Sequence, residues 1–433
     1  MKNFKTLFQG LHTFILLWST QAFSTLGSSM TSYALVIWSY QQTGSALTTS
    51  LLTVCSYAPY VVLSIFAGAL SDRWNKKHTM LVCDSLAAVS TIAVFCLLKT
   101  GNLEIWHLYL INAFNGMMNT LQQPASDVTV SLLTPKDQYQ RAGGMRAFSN
   151  SLVTILSPVI ATAFFSAFGI TAVIAFDLLT FMTAFITLAF FIRVPNVKKD
   201  SAGPKESLLL SAGKGLRYLS ENKGIFYLIL FLAAINLSAS MYNAALPAML
   251  LSRNGSTETD LALVTTCTGL ANVTGSLIAS FCPNPKNRVR VIANSLLFSM
   301  STENFFLALG RSTPVWCIGA VLGWLFIPVM NTNLEVILRT HIPVELQGRV
   351  YSIRNTFQFF TIPVGYMLGG FLVDKVFEPY MKTQSHGSLA VILFGEGKGS
   401  GAAMLFMLIG FLGLFTCLIF RKNRDIWKLE TQK

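Results

Sequence analysis

The sequence predicts an all-α membrane protein with twelve transmembrane helices arranged as two six-helix halves. Three observations carry that expectation: a strongly apolar composition, twelve apolar stretches of spanning length, and a charge pattern that recurs between the halves. Of the 433 residues, 52% are hydrophobic and only 12% are charged, with 33 Phe. Mean hydropathy is +0.54. A soluble globular domain carries about 25% charged residues, so this composition excludes a soluble enzyme, a disordered chain and a nucleic-acid binder.

A bilayer core is crossed by roughly 20 apolar residues. Stretches of that kind lie near 13–38, 47–70, 79–98, 104–126, 146–167, 169–192, 223–250, 260–282, 289–309, 314–336, 350–374 and 402–420. The first is too long for the core of a cleaved leader and is expected to remain as span one. Turn and charge signals separate the stretches, among them Asp72–His78, Pro135–Asp137, Pro283–Arg290 and Pro343–Arg349. The longest hydrophilic loop, roughly 193–222, divides the chain into residues 1–195, a linker 196–222 and residues 223–433. Within it, 205–221 has the pattern of a short amphipathic helix at the interface.

Loop charges set the expected orientation. With both termini in the cytoplasm, that side holds 26 of the 32 Lys and Arg and 10 of the 19 Asp and Glu. The outer side holds six bases and six acids, and Asp84, Asp177 and Glu303 fall inside spans. This is the positive-inside asymmetry. It accounts for the net charge of +13 through membrane orientation, and no nucleic-acid partner is expected. The expected setting is a plasma (inner) membrane, with the lipid bilayer as the main partner.

An internal repeat supports two related halves. Asp127, Pro135, Asp137, Arg141 and Arg146 follow span four. Glu335, Pro343, Glu345, Arg349 and Arg354 follow span ten, each 208 residues later. Twelve spans in a 6+6 repeat with a basic central loop describe the scaffold of a secondary transporter.

The loop after span two reads Gly68-Ala69-Leu70-Ser71-Asp72-Arg73-Trp74-Asn75-Lys76-Lys77. This resembles the loop 2–3 signature of the major facilitator superfamily, G-x-L-[AS]-D-R-x-x-[RK]-[RK], at every specified position and in the expected loop. Within that superfamily the chain is similar over nearly its whole length to the drug:proton antiporter branch that includes macrolide efflux proteins. The likeness is most specific at LLTPKDQYQRAGGMRAF and HIPVELQGRVYSIRNTFQFFTIPVGYMLGGFLVD. It departs from the branch in span five, where Ser157-Pro158 and Ala161 stand in place of a glycine-rich stretch, while span eleven holds Pro363, Gly365, Gly369 and Gly370.

The resemblance implies a gate built from Gly68, Asp72, Arg73, Lys76, Lys77, Asp127, Arg141, Arg146, Glu335 and Arg349. It implies that Asp72 faces span eleven and that Arg73 reaches Asp127. The positions equivalent to Asp72 and Arg73 in the second half are Ser280 and Phe281, so the gate is expected to be asymmetric. The family fold further implies that spans one, four, seven and ten line a central cavity.

Helical spacing marks polar faces on those spans. Span four carries Asn112, Asn115, Asn119 and Gln122; span one carries Gln21, Thr25, Ser28 and Ser32. Span seven carries Asn236, Ser240 and Asn243, and span ten carries Asn331. In lipid such stripes face protein or water, and their alternative use is hydrogen bonding between helices. The stripes themselves hold no acid or base, which points to a large, mostly neutral amphipathic substrate. Tyr33, Phe114, Phe226, Phe231 and Tyr242 are available for aromatic contact.

With no GxxxxGK[ST] loop in the sequence, the expected energy source is an ion gradient, protons in most such exporters, with no cofactor. A buried carboxyl group favours its neutral form, so the candidate proton carriers are Glu303, Asp177 and Asp127, with Asp84 read as structural. The five His have no metal spacing and no nucleophile–base pair is evident, so an enzyme is not expected. The expected activity is alternating-access, proton-coupled efflux by a monomer. Siderophore or metabolite export and nutrient import by the same fold are the alternatives.

Overall fold

The computed structural model describes residues 12–135, 139–194, 216–253, 256–281, 285–342 and 344–431. Helices stand where all twelve spans are expected. Spans one to six are His12–Thr43, Ala46–Arg73, Lys76–Lys99, Ile105–Leu133, Tyr139–Phe168 and Ile170–Ile186, the last extended by a π-turn at Thr187–Phe191. Spans seven to nine are Lys223–Leu250, Glu258–Phe281 and Arg288–Leu309. Span ten is two helices, Thr313–Leu325 and Ile327–His341; span eleven is Val344–Phe371 with a π-turn at Leu372–Phe377; span twelve is Ser400–Lys422. Of the expected amphipathic helix, 216–221 is helical and 205–215 lies outside the described residues.

Among the described residues, nine helices are long and apolar enough to cross a membrane by composition. The three that miss this measure are spans one, four and nine. Spans one and four bear the polar stripes, and span nine bears Arg288, Arg290 and Glu303. Polar residues dilute the hydropathy of a span without shortening it. The outward faces stay apolar: Phe411, Phe415 and Ile419, at helical spacing on span twelve, are exposed. The opposite face of that helix places Gly410 and Gly413 against Phe305 and Met300 of span nine, so one helix offers a bulky face outward and a small-residue face to its neighbour.

The chain forms two compact units, Met1–Ser39 with Cys55–Lys199, and Tyr40–Val54 with Asp200–Lys433. In the first unit, Leu17, Met80, Ala125, Leu188 and Ile192 make one buried cluster. Lys77 closes the adjacent end of span six by donating to the carbonyls of Ala189 (2.8 Å) and Ile192 (2.7 Å). A cation is well placed there, because a helix C-terminus leaves carbonyls unpaired and carries partial negative charge. Asn75 caps span three, accepting from the His78 amide at 3.1 Å. Two motif residues therefore have local structural work.

The second unit is organised around span seven, whose apolar window is 56% buried against 22% for span two. Gly365 and Gly369 of span eleven lie against Ser240 and Met241 of span seven, where a methyl group would meet side-chain and backbone atoms at 2.5–2.9 Å. Phe231 and Phe420 stack at 3.9 Å within the same core. Span ten breaks at Phe326 because Pro328 has no amide to continue the hydrogen-bond ladder. Residues 40–54 join this unit through Asp374, whose carboxylate accepts from Ser45 Oγ (2.5 Å), Ala46 N (3.0 Å) and Leu47 N (2.8 Å). An acid at the N-terminus of span two is favoured by the helix dipole.

The segment between spans eleven and twelve is ordered. It contains the short helices Glu378–Lys382 and Leu389–Phe394. Arg253 donates to the carbonyls of Gly310 (2.6 Å) and Phe394 (2.7 Å), and Glu378 accepts from Gly399 N (2.8 Å) and Gly401 N (3.2 Å).

Candidate functional site: a buried carboxyl beside a cavity

Within the second unit a cavity of about 200 Å³ lies among spans seven, nine, ten, eleven and twelve. Its polar lining includes Asn236, Tyr242, Glu303, Asn304, Asn331 and Gln358. Glu303 is 4% exposed. Its Oε1 accepts a hydrogen bond from Trp324 Nε1 at 2.8 Å. The Tyr242 hydroxyl lies beside the same carboxyl group but completes no hydrogen bond of ordinary geometry. Asn304 donates to the Met300 carbonyl at 3.1 Å, and its buried Oδ1 has no partner among the described residues.

The carboxyl group has room there because span ten carries Gly323. A methyl group at that position would meet Glu303 Cδ at 2.7 Å. Gly319, one turn earlier, lies against Phe306 of span nine. The pair is a small-xxx-small face that lets the two helices approach closely. The indole of the neighbouring Trp324 reaches the acid.

Of the polar positions read on spans seven and ten, Asn236 and Asn331 line the cavity. Asn236 is held by donating to the Gln358 carbonyl (2.8 Å) and Thr361 Oγ1 (3.1 Å). Ser240 instead bonds the Asn236 carbonyl at 2.8 Å under Gly365, and Asn243 is exposed. The expectation of cavity polar faces without an acid therefore differs from the arrangement seen, because Glu303 reaches the cavity from span nine.

The first unit disposes its acids differently. Asp177 of span six is 5% exposed and accepts from Ser28 Oγ of span one at 2.9 Å, with the Thr31 hydroxyl beside it. Gly27 allows this approach, since a methyl group there would meet the Asp177 backbone at 3.0 Å. Asp84 of span three accepts from Gln122 Nε2 of span four at 2.6 Å, and Gln21 of span one also interacts with it. Thus Gln21, Ser28 and Gln122 face acids on neighbouring helices. Thr25 and Asn112 bond their own helix backbone, at 2.7 Å and 2.8 Å. Asn119 and Ser32 are exposed, and the buried Asn115 Oδ1 has no partner among the described residues.

The repeated acid–Arg pattern closes in both units. Arg146 meets Asp127 at 2.9 Å, and Arg354 meets Glu335 at 2.7 Å. These are the first and last members of the two five-residue sets 208 positions apart. Lys76 contacts the Trp74 carbonyl at 3.4 Å. The surroundings of Gly68, Asp72, Arg73, Arg141 and Arg349 lie outside the described residues.

No metal cluster of three or more His, Cys, Asp or Glu occurs among the described residues. Trp324, Asn304 and Gly323 were not singled out from the sequence. The Gly319–Gly323 spacing, followed at once by Trp324, is the signal that marks them.

Helices of spanning length with polar side chains turned inward define a multi-pass membrane transporter scaffold. The model of the Major Facilitator Superfamily matches residues 17–242, and the chain belongs to that superfamily. It is similar to macrolide efflux protein A of Streptococcus pyogenes, 24% identical over 366 residues, covering 84% of this chain and 90% of that one. It is also similar to the multidrug efflux pump Tap of Mycolicibacterium fortuitum, 23% identical, covering 77% and 82%. The enterobactin exporter EntS of Shigella flexneri is 23% identical over 70% of each chain. Among solved structures, the nucleoside transporter NupG superposes with a TM-score of 0.67 at 12% identity, covering 95% of this chain and all of the other. A bacterial homologue of the iron transporter ferroportin gives 0.66 at 14% identity, covering 98% and 99%. The chain is a transporter with efflux-protein relatives, and not an enzyme.

Proposed function

We propose that the protein exports hydrophobic or amphipathic compounds, macrolide-type drugs among them, by alternating access in exchange for protons. The observation that carries this reading is Glu303, a fully enclosed carboxyl group lining a cavity in a membrane transporter. An isolated charge there is costly. A carboxyl group that takes up and releases one proton per cycle passes between neutral and charged forms, and so couples a proton to a change in the cavity. Relatives named for macrolide and multidrug efflux over more than three quarters of this chain support the direction and the substrate.

Asp177 and Asp127 are the weaker carriers in this reading. Asp177 is held by neutral hydroxyl donors, and Asp127 is half-exposed and paired with Arg146. The 26 basic residues assigned to one side of the membrane support cytoplasmic termini in a plasma (inner) membrane. The protein works as a monomer in this reading, with the bilayer, the substrate and protons as its partners and no cofactor. A second reading, export of a siderophore-like metabolite, draws on the likeness to EntS.

The test is accumulation of a labelled macrolide in cells lacking their own pumps, with and without this protein. Lower accumulation that a protonophore reverses is the expected result. Unchanged accumulation with the protein present in the membrane would remove the macrolide assignment.

A further inference from the structure

We infer that the end of span twelve and the short helix after it form a binding site for the headgroup of an anionic phospholipid, with Arg421, Lys422 and Arg424 meeting its phosphate. None of these residues lines the cavity, so the surface goes beyond export and holds whatever the cargo.

The chain turns at Asn423. The Asn423 side chain accepts from the amides of Asp425 (3.0 Å) and Ile426 (3.4 Å), which starts a new helix, Arg424–Thr431, directly after span twelve. That helix lies across the ends of spans seven and nine. Ile426 and Leu429 are buried in the core of the second unit. Gly224, at the start of span seven, lets the helix come close: a methyl group there would meet the Asp425 carbonyl oxygen at 2.6 Å and Leu429 at 3.1 Å. Glu430 Oε1 accepts from the Val289 amide, at the start of span nine, at 2.6 Å. Trp427 Nε1 donates to the Arg421 carbonyl at 2.7 Å. The helix is therefore fixed along the end of the unit, with Arg424 and Lys428, one turn apart, exposed.

The bases at this end fall into two groups. Arg288 donates to Asn333 Oδ1 at 2.9 Å, Arg354 meets Glu335 at 2.7 Å, and Lys428 meets Asp425 at 2.7 Å. Both acids of the terminal helix are thus engaged, one by Lys428 and one by the Val289 amide. Among the described residues, Arg421, Lys422 and Arg424 are exposed and meet no carboxylate. Positive-inside placement accounts for bases at this end. It does not account for three neighbours left without an acid at the foot of an apolar stripe.

That stripe names the ligand. Phe411, Phe415 and Ile419 are exposed on one face of span twelve, and Lys422, three residues beyond Ile419, ends it. An acyl chain lying along the stripe brings its headgroup to Lys422, because long basic side chains reach from apolar surface into the headgroup layer. Guanidinium groups match phosphate with paired N–H donors. The leaflet on the side where the bases gather is the one rich in anionic lipid, and clustered Lys and Arg beside a membrane helix recognise it. A soluble anion would have no use for the stripe. A zwitterionic headgroup would bring its own cation against three of the protein's.

The experiment titrates purified, delipidated full-length protein with phosphatidylglycerol and with phosphatidylcholine of the same acyl chains, read by native mass spectrometry. Wild type is expected to bind phosphatidylglycerol at least about tenfold more tightly, a difference of roughly 1.4 kcal/mol. Arg421→Gln, Lys422→Gln and Arg424→Gln combined are expected to erase that preference while phosphatidylcholine binding stays constant. Arg193→Gln with Arg217→Gln, which removes two exposed bases elsewhere, is expected to keep it. Glycerol 3-phosphate, which has the phosphate and no chains, should not displace the lipid at equal concentration. Equal affinity of wild type for the two lipids, a preference that survives the triple substitution, or an equal loss in the control pair would overturn the inference. Displacement by glycerol 3-phosphate would also overturn it, since the site would then serve a free anion.

Discussion

Span six of the first unit and span nine of the second each bury a carboxylic acid, and only one of the two borders the cavity. Asp177 accepts from Ser28 at 2.9 Å with Thr31 beside it, against a helix brought close by Gly27. Glu303 accepts from Trp324 at 2.8 Å with Tyr242 beside it, and lines the cavity. Burial is nearly the same, 5% and 4% exposed. What separates a strut from a candidate coupling group is the cavity that Glu303 lines. Asp84 belongs with the struts, since Gln122 and Gln21 bridge it to spans four and one.

The largest expected effect breaks the second member of that comparison. Gly323→Val puts branched carbon where Glu303 lies, so the carboxyl group must leave Trp324. Export per inserted molecule is expected to fall at least about tenfold, because displaced catalytic-type geometry of this order is that damaging. Drug accumulation at matched membrane abundance reads it. The corresponding change on the other side, Gly27→Val, is expected to lower the amount of folded protein instead.

Next in size is the strut itself. Asp177→Leu leaves Ser28 without its partner, and a buried polar group stranded in this way costs about 1–3 kcal/mol. Thermal unfolding in detergent should show a lower midpoint, while export per folded molecule is retained. Lost export at unchanged stability would move Asp177 into the coupling machinery and dissolve the contrast.

The repeated ion pairs sharpen the comparison between the units. Arg354 is 19% exposed at its side chain and Arg146 is 44% exposed. Screening by water weakens an exposed pair to about 0–1 kcal/mol. Arg354→Gln should therefore lower the unfolding midpoint more than Arg146→Gln does, measured side by side.

The smallest effect concerns the segment before span twelve. His386 Nδ1 donates to Glu396 Oε1 at 2.8 Å. That hydrogen bond, reinforced by the charge of Glu396, raises the imidazole above its ordinary value. The contribution of the pair is complete below the ordinary histidine value and is lost as pH rises through the raised one. Glu396→Gln should return the His386 titration to the ordinary range, as followed by NMR of the labelled imidazole.

Much of the fold was legible because membrane spans obey simple rules. Twenty apolar residues, a loop rich in Lys and a 208-residue offset need no tertiary information. The same offset marks Asp127, Arg146, Glu335 and Arg354 as repeated positions without saying which base meets which acid; Arg146 meets Asp127 and Arg354 meets Glu335. Polar stripes were legible as stripes, yet their partners were not. Gln122 was read toward a cavity and meets Asp84; Ser28 was read likewise and meets Asp177. A period of 3.6 residues reports a face, and which neighbour covers that face depends on helix packing. Trp324 escaped notice because an indole in an apolar run has no periodic signature. Its role appears only when Gly323 brings span ten against span nine.

The most direct test is transport in liposomes holding the purified protein, with a pH gradient imposed across the membrane and a labelled macrolide inside or out. Wild type and Asp177→Asn are predicted to move the drug in exchange for protons, and Glu303→Gln to leave it undriven although folded. Gradient-driven movement by Glu303→Gln at the wild-type rate would contradict the assignment of Glu303 as the coupling acid.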